Sequence, residues 1–76
     1  MPTIDMTATG MKIKEMIKAN GMTVKEVANM FGFASPYPVY KWINGVNLPA
    51  LDNLVVLAAK MGVKMDDLIV IGKAGL

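Results

Sequence analysis

The ten residues from Thr23 to Gly32, Thr-Val-Lys-Glu-Val-Ala-Asn-Met-Phe-Gly, constrain the fold more than any other part of the chain. A threonine three residues before a glutamate predicts a capping box, in which the Thr23 hydroxyl accepts the amide of Glu26 and the Glu26 carboxylate accepts the amide of Thr23. Gly32 can adopt a positive φ and end the helix. The run therefore predicts a short helix with a defined beginning and end.

A second short helix is predicted directly after this run. Ser35 is a good cap residue, Pro36 suits the first helical position, and Gly45 ends the helix. Val27 supplies an inward apolar contact, and the small Ala28 lets the second helix cross close to the backbone. The two helices together predict a helix-turn-helix over about residues 23–45, with structural positions at Thr23, Glu26, Val27, Ala28, Gly32, Val39, Trp42 and Gly45.

Apolar periodicity predicts helices on both sides of this motif. Ile13, Met16 and Ile17 have the i, i+3, i+4 spacing of one buried stripe, which predicts a first helix over about residues 10–19. The helices of the motif are predicted over about 24–31 and 36–44. A wide apolar face predicts a fourth helix that ends at Gly62, formed by Leu51, Leu54, Val55, Leu57, Ala58 and Met61.

The C-terminal part predicts a short helical turn and a short strand. Asp66, Asp67 and Leu68 favour a last helical turn, and the β-branched residues 69–71 can form a strand that pairs with residues 3–5. The predicted fold is all-α and compact, with five helices, to which a short pair of terminal strands can be added. We divide the chain into an N-terminal extension (1–9), a helix-turn-helix domain (10–71) and a flexible tail (72–76).

Composition excludes several classes of protein. A chain of 76 residues makes one domain with one modest core. It contains neither cysteine nor histidine, which removes disulfides, thiolate metal sites and the commonest general base. We therefore expect no enzyme activity, no cofactor and no metal. The longest apolar stretch, residues 54–59, is too short to span a bilayer, and the N-terminus lacks a signal-peptide pattern, so we expect a cytoplasmic protein without membrane contact.

The charge of the chain is small and unevenly placed. The net charge is +2, and all eight basic residues are lysines. Residues 1–45 carry five lysines against three acidic residues, whereas the remainder carries three of each. The excess therefore lies in the half that contains the predicted motif, which favours a nucleic-acid partner, although the resulting field is weak.

The predicted third helix has two different sides. At 100° per residue, its inward side is apolar and consists of Val39, Trp42 and Ile43. Tyr37, Lys41 and Asn44 lie on the opposite side, with Tyr40 at its flank. Such a surface can contact phosphates and base edges in a major groove. A solvated helix surface would explain Lys41 and Asn44 equally well, whereas two exposed tyrosines are more typical of an interface.

These residues, in this order, resemble the Xre-like (phage lambda repressor/Cro-like) helix-turn-helix transcriptional regulators. The resemblance covers residues 10–70 and rests on the Thr-x-x-Glu-Val-Ala-x-x-Phe-Gly run, on Val-Tyr-Lys-Trp at 39–42, and on Gly45 and Pro49. The stretch from Gly32 to Leu54 further resembles a subgroup frequent in Gram-positive bacteria. The family implies a compact lambda-repressor-like domain of about five helices that binds a pseudo-palindromic double-stranded DNA operator as a homodimer.

The resemblance also implies a set of DNA contacts. Lys41 corresponds to a phosphate contact, and Tyr37 and Tyr40 correspond to base or backbone contacts. Ser35 lies where it can touch phosphate, although a helix cap is its more expected role. The candidate DNA-binding residues are Ser35, Tyr37, Tyr40, Lys41, Asn44 and Lys25.

The chain also departs from the family pattern at several positions. The stretch from Gly32 to Trp42 is one residue longer than in the parent family. Val24 stands where a glutamine often meets a phosphate in the family. Tyr37 stands where the subgroup often has glutamine, the natural bidentate partner of adenine. Pro38 stands where alanine is usual, but it costs no helical hydrogen bond in a first turn.

Two functions are compatible with these residues. The first is a sequence-specific DNA-binding regulator, a repressor or the DNA-binding antitoxin of a small operon. The alternative is a protein-interaction module that uses the tyrosine side of the third helix, which the low charge, the absence of arginine and the altered recognition positions favour. Val56 with Ala59 on the fourth helix, or residues 69–71, are candidate dimerisation surfaces.

Overall fold

The computed structural model describes residues 3–72, which form four α-helices and a two-stranded sheet. The elements in chain order are β1 (Thr3–Ile4), α1 (Met6–Ala19), α2 (Val24–Met30), α3 (Tyr37–Ile43), α4 (Leu51–Met61), a 3₁₀ turn (Met65–Asp67) and β2 (Ile71–Gly72). The mainly helical fold was predicted, but the count of five helices is wrong. The fifth segment makes only a three-residue 3₁₀ turn, closed by the Asp67 carboxylate, which accepts the Lys64 amide at 3.0 Å.

Helix α1 begins at Met6 rather than at the predicted Gly10. Asp5 caps this end, because its carboxylate accepts the amide of Ala8 at 2.9 Å. The first turn lacks the regular apolar spacing that marked the rest of the helix, so periodicity placed the start too late. Part of the predicted N-terminal extension therefore belongs to β1 and to the first turn of α1, while the division into domains stays a prediction.

The two ends of the described chain pair with each other. β1 and β2 are antiparallel, with Ile4 opposite Ile71, and the amide of Asp5 donates to the Val70 carbonyl at 2.8 Å. The buried Thr9 of α1 adds a second connection, since its hydroxyl accepts the Val70 amide at 2.9 Å. A terminal strand pair is present as predicted and is bonded to α1, but its second strand is Ile71–Gly72 rather than residues 69–71. Residues 73–76 of the predicted flexible tail lie outside the described residues.

The core lies between the four helices and the 3₁₀ turn. It consists of Ile13, Ile17, Val27, Ala28, Val39, Trp42, Leu54, Leu57, Ala58, Met61 and Leu68. The buried stripe of α4 is narrower than predicted, because Leu51 and Val55 are 72% and 48% exposed. Leu51 is the first residue of the helix, and Val55 lies about 100° around the axis from Leu54. The wide apolar face thus includes two side chains that contact solvent.

Helices α1 and α3 touch through their backbones. A Cβ atom on Gly10 would overlap the carbonyl oxygens of Ile43 and Trp42 at the end of α3. Gly45, directly after α3, has a φ of 72°, and a Cβ there would lie 3.0 Å from the carbonyl oxygen of Met6. Glycine at both positions therefore permits a close crossing that fixes where α3 ends relative to α1.

We expect replacement of Gly10 by alanine to destabilise the fold. Helix propensity alone would make Gly10→Ala stabilising by roughly 1 kcal/mol, because Gly10 lies inside α1. Overlap with the α3 carbonyls should reverse the sign and lower the free energy of unfolding by about 1–3 kcal/mol. Urea denaturation followed by Trp42 fluorescence measures this difference.

Thr7→Ala, at an exposed position of the same helix, is the matched control and should change stability little. An alanine at position 10 that stabilised the protein would contradict the close crossing of α1 and α3.

Candidate nucleic-acid interface

The second helix begins with the predicted capping box. The Thr23 hydroxyl accepts the Glu26 amide at 3.1 Å, and the Glu26 carboxylate accepts the Thr23 amide at 3.0 Å. The helix ends before Gly32, whose φ is 74°, and the Phe33 amide then donates to the Ala28 carbonyl at 3.0 Å. This closure is the one expected of a glycine that terminates a helix. Both ends of α2 are therefore held by local hydrogen bonds.

The start of α3 is held by the residues between the two helices. The helix begins at Tyr37, one residue later than predicted, with Pro36 at the cap position. The Ser35 hydroxyl accepts the Tyr37 amide at 3.3 Å, so it satisfies one of the free amides of the first turn. Pro38 also lies in this turn, where its missing amide breaks no helical hydrogen bond.

The inward side of α3 is fixed by aromatic and aliphatic packing. Val39 is fully buried and Trp42 is 5% exposed. The Trp42 ring makes edge contacts with Phe31 and Phe33, at centroid distances of 5.6 and 5.8 Å. Because Phe31 caps α2 and Phe33 lies in the following turn, this cluster joins the three parts of the motif. The orientation of α3 is thereby set.

The outward side of α3 carries the predicted contact residues. Tyr37 and Tyr40 are 63% and 47% exposed, Asn44 is exposed and Lys41 is half-buried. The Lys41 ammonium lies 4.9 Å from the centre of the Tyr37 ring, which is a cation–π contact. This pairing was not predicted, although the i, i+4 spacing of the two residues indicated it. One aromatic ring and one cation are thus presented together on an exposed helix surface.

The other two candidate residues lie beside this surface in sequence but on different elements. Ser35 is exposed in the turn before α3, and Lys25 is exposed in the first turn of α2. The Ser35 hydroxyl bonds only the backbone amide of Tyr37, and no hydrogen bond within residues 3–72 joins the Lys25 side chain to α3. Their assignment as DNA contacts stays a prediction.

The residues 3–72 contain nothing that resembles a small-molecule or metal site. No pocket is found in this part of the chain, and no group of three acidic, histidine or cysteine residues there could hold a metal ion. None of the described helices is long and apolar enough to cross a membrane. The candidate interface consists of the exposed residues of α3, including Tyr37 and Tyr40.

Comparison with protein families identifies the class of protein to which this chain belongs. A family profile described as Helix-turn-helix (HTH_3) matches residues 13–68, about three quarters of the chain. The chain therefore belongs to this helix-turn-helix family. A search of curated proteins finds no significant match.

One solved structure with the same fold is the restriction-modification controller protein C.AhdI from Aeromonas hydrophila. Its TM-score to this chain is 0.73 at 22% sequence identity, and the match covers 84% of this chain and 96% of that chain. At this identity the similarity establishes the fold and nothing further. Family and fold agree in class, and the protein is a helix-turn-helix DNA-binding regulator.

We expect the Ser35 hydroxyl, one residue before the cap position, to stabilise the start of α3 by accepting the Tyr37 amide. Ser35→Ala removes the acceptor of the Tyr37 amide and should lower the free energy of unfolding by about 0.5–1 kcal/mol. Ser35→Asp is the matched control, because a carboxylate accepts the same amide and should preserve stability. Urea denaturation without DNA measures both variants. Equal stability of all three proteins would show that the hydroxyl does not stabilise the start of α3.

Proposed function

We propose that this protein binds a pseudo-palindromic operator as a homodimer, with α3 of each protomer in the major groove, and that it represses transcription from the occupied site. One observation carries this proposal: Val39 and Trp42 hold one side of α3 in the core, while Tyr37 and Tyr40 stay exposed on the other. A helix held in this way presents side chains to a groove without rearrangement.

The residues on α3 divide into two kinds of contact. Tyr37 lies in the first turn, and its phenol can donate to a base edge or pack on a thymine methyl group. Lys41, one turn further along, supplies a positive charge for a phosphate oxygen. Since the Lys41 ammonium lies over the Tyr37 ring, the ring also limits where that charge can reach. Tyr40 and Asn44 complete the exposed side.

The proposed interface carries few charges. Lys25 and Lys41 are the two lysines that we assign to phosphates, which gives four per dimer. Release of the counterions from four phosphates predicts a slope of about −3.6 in a plot of log K against log salt. This slope is shallow for a dimeric DNA-binding protein, so contacts with bases must supply a larger share of the affinity.

Regulation is supported by the class of the protein and by its structural relative. The relative is described as a controller protein of a restriction-modification system, which is a regulatory role. A dimer bound over a promoter blocks access to it, so repression needs no further partner. The DNA-binding antitoxin of a small operon would act on DNA in the same way. Membership of the Gram-positive subgroup and a cytoplasmic location stay predictions.

The first experiment is selection of bound sequences from a random duplex library with excess competitor DNA. The enriched pool is then titrated with salt. A pseudo-palindromic site with a salt slope near −3.6 is the expected result. If folded protein enriches no sequence, the proposal of a specific operator is wrong. The exposed tyrosines are then assigned to a protein-binding surface, whose binding should respond little to salt.

Replacement of Lys41 should weaken all sites to a similar extent. Lys41→Gln removes one phosphate contact per protomer, so the salt slope of the dimer should become shallower by about 1.8. Fluorescence anisotropy at several salt concentrations measures the slope. Lys64→Gln, which removes an exposed lysine outside the motif, should leave the slope unchanged. An unchanged slope in the Lys41 variant would exclude Lys41 as a phosphate contact.

Replacement of Tyr37 should change sequence preference rather than general affinity. Tyr37→Ala should reduce discrimination at one position of each half-site by about 1–3 kcal/mol, because a base contact is lost. Tyr37→Phe keeps the ring and separates the hydroxyl from the packing contribution. Repeating the library selection with both variants measures the change. An unchanged motif in both selections would show that Tyr37 does not contact a base.

A further inference from the structure

Helix α4 has an exposed side that the DNA-binding role does not use. Leu51, Val55 and Val56 are 72%, 48% and 47% exposed, and Ala59 is also exposed. Val46 and Leu48, in the loop before the helix, add further exposed apolar surface. Several exposed aliphatic side chains on and beside one helix mark a surface for association.

The charges on this side of α4 are arranged symmetrically. The helix has eleven residues, and Val56 is the central one. Asp52 lies four residues before Val56 and Lys60 four residues after it, so the three side chains follow one stripe of the helix. Asp52 and Lys60 are both exposed and carry opposite charges. A two-fold axis through Val56 would place each Asp52 opposite the Lys60 of a second copy.

We propose that two copies of this chain associate through antiparallel α4 helices that cross at Val56. Each dimer then contains two Asp52–Lys60 pairs, one at either end of an apolar contact formed by Val55, Val56 and Ala59. This inference rests on the proposed function, because it specifies the interface of the dimer that binds the operator. It also assigns a role to Asp52 and Lys60: their pairing fixes the register of the two α4 helices and their antiparallel direction.

Self-complementarity favours a second copy over a different protein as the occupant. In a two-fold interface the same patch faces itself, so every charge must meet its opposite after rotation. Asp52 and Lys60 meet this condition in the antiparallel direction, whereas a parallel arrangement would place like charges together. A specific interface buries about 800 Å² on each partner, more than a few exposed side chains supply, so we expect a weak dimer in the absence of DNA.

Charge reversal at the two positions tests the arrangement. Asp52→Lys alone and Lys60→Glu alone each turn both attractive pairs into repulsive ones, so each variant should self-associate about tenfold more weakly at low salt. An equimolar mixture of the two variants should recover association, because a mixed dimer pairs introduced lysine with introduced glutamate and the native Asp52 with the native Lys60. Sedimentation equilibrium measures each state, and circular dichroism checks that the variants are folded.

Charge-matched controls lie on α1. Glu15→Lys and Lys18→Glu change the net charge in the same two directions at exposed positions, and Lys18, like Lys60, lies in the last turn of its helix. These variants should self-associate like the wild type. In 1 M salt the contrast between the α4 variants and the wild type should disappear, because exposed charge pairs are then screened.

Three results would overturn the proposal. They are a wild-type chain that stays monomeric at millimolar concentration, a dimer that is insensitive to both reversals, and a mixture that does not recover association. In the second case residues 69–71 become the alternative interface. Because these measurements contain no DNA, their outcome is separate from that of the library selection, which alone decides whether the protein binds an operator.

Discussion

The backbone contact between α1 and the end of α3 is the constraint on which the rest of the structure depends. Gly10 allows the Ile43 and Trp42 carbonyls to approach α1, and Gly45 allows the chain to leave α3 beside Met6. The same end of α3 is also held by edge contacts of the Trp42 ring with Phe31, which caps α2, and with Phe33 in the following turn. The C-terminal end of α3 is therefore positioned by contacts that tolerate little change in shape. Because Tyr37 and Tyr40 lie on α3, these contacts also fix the direction in which the two side chains point.

Most features that the sequence predicted correctly depend on neighbouring residues, and the pairing of the terminal strands is the exception. The capping box needs only Thr23 and Glu26, and the end of α2 needs only a glycine that accepts a positive φ. The role of Gly10 depends on the carbonyls of Trp42 and Ile43, which lie more than thirty residues further along the chain. The sequence pattern around Gly10 could not show this contact, and it wrongly placed the start of α1 at Gly10. Leu51 shows a different limit, since periodicity identifies the direction of a side chain but not whether the core extends that far.

In the candidate interface, too, some features could be predicted from the sequence and others required the structure. Periodicity alone separated the buried Val39 and Trp42 from the exposed tyrosines, because a helix with one side in the core must present the other side to solvent. The contact between Lys41 and the Tyr37 ring required side-chain positions. This contact matters because the two residues then act together. A cation held over a ring reaches fewer phosphate positions than a free lysine, and so its reach is tied to where the ring binds.

The small charge of the protein favours discrimination between sites. Non-specific affinity for DNA comes almost entirely from phosphate contacts, and a net charge of +2 with no arginine keeps this contribution low. Specific affinity then depends on base contacts and on the simultaneous binding of two half-sites. A symmetric dimer makes the second binding event intramolecular, so two weak recognition helices can together occupy a complete operator. The same dimer on a single half-site gains nothing from its second helix. Weak individual contacts and two-fold symmetry therefore favour the complete palindrome over the half-sites that are frequent in any genome.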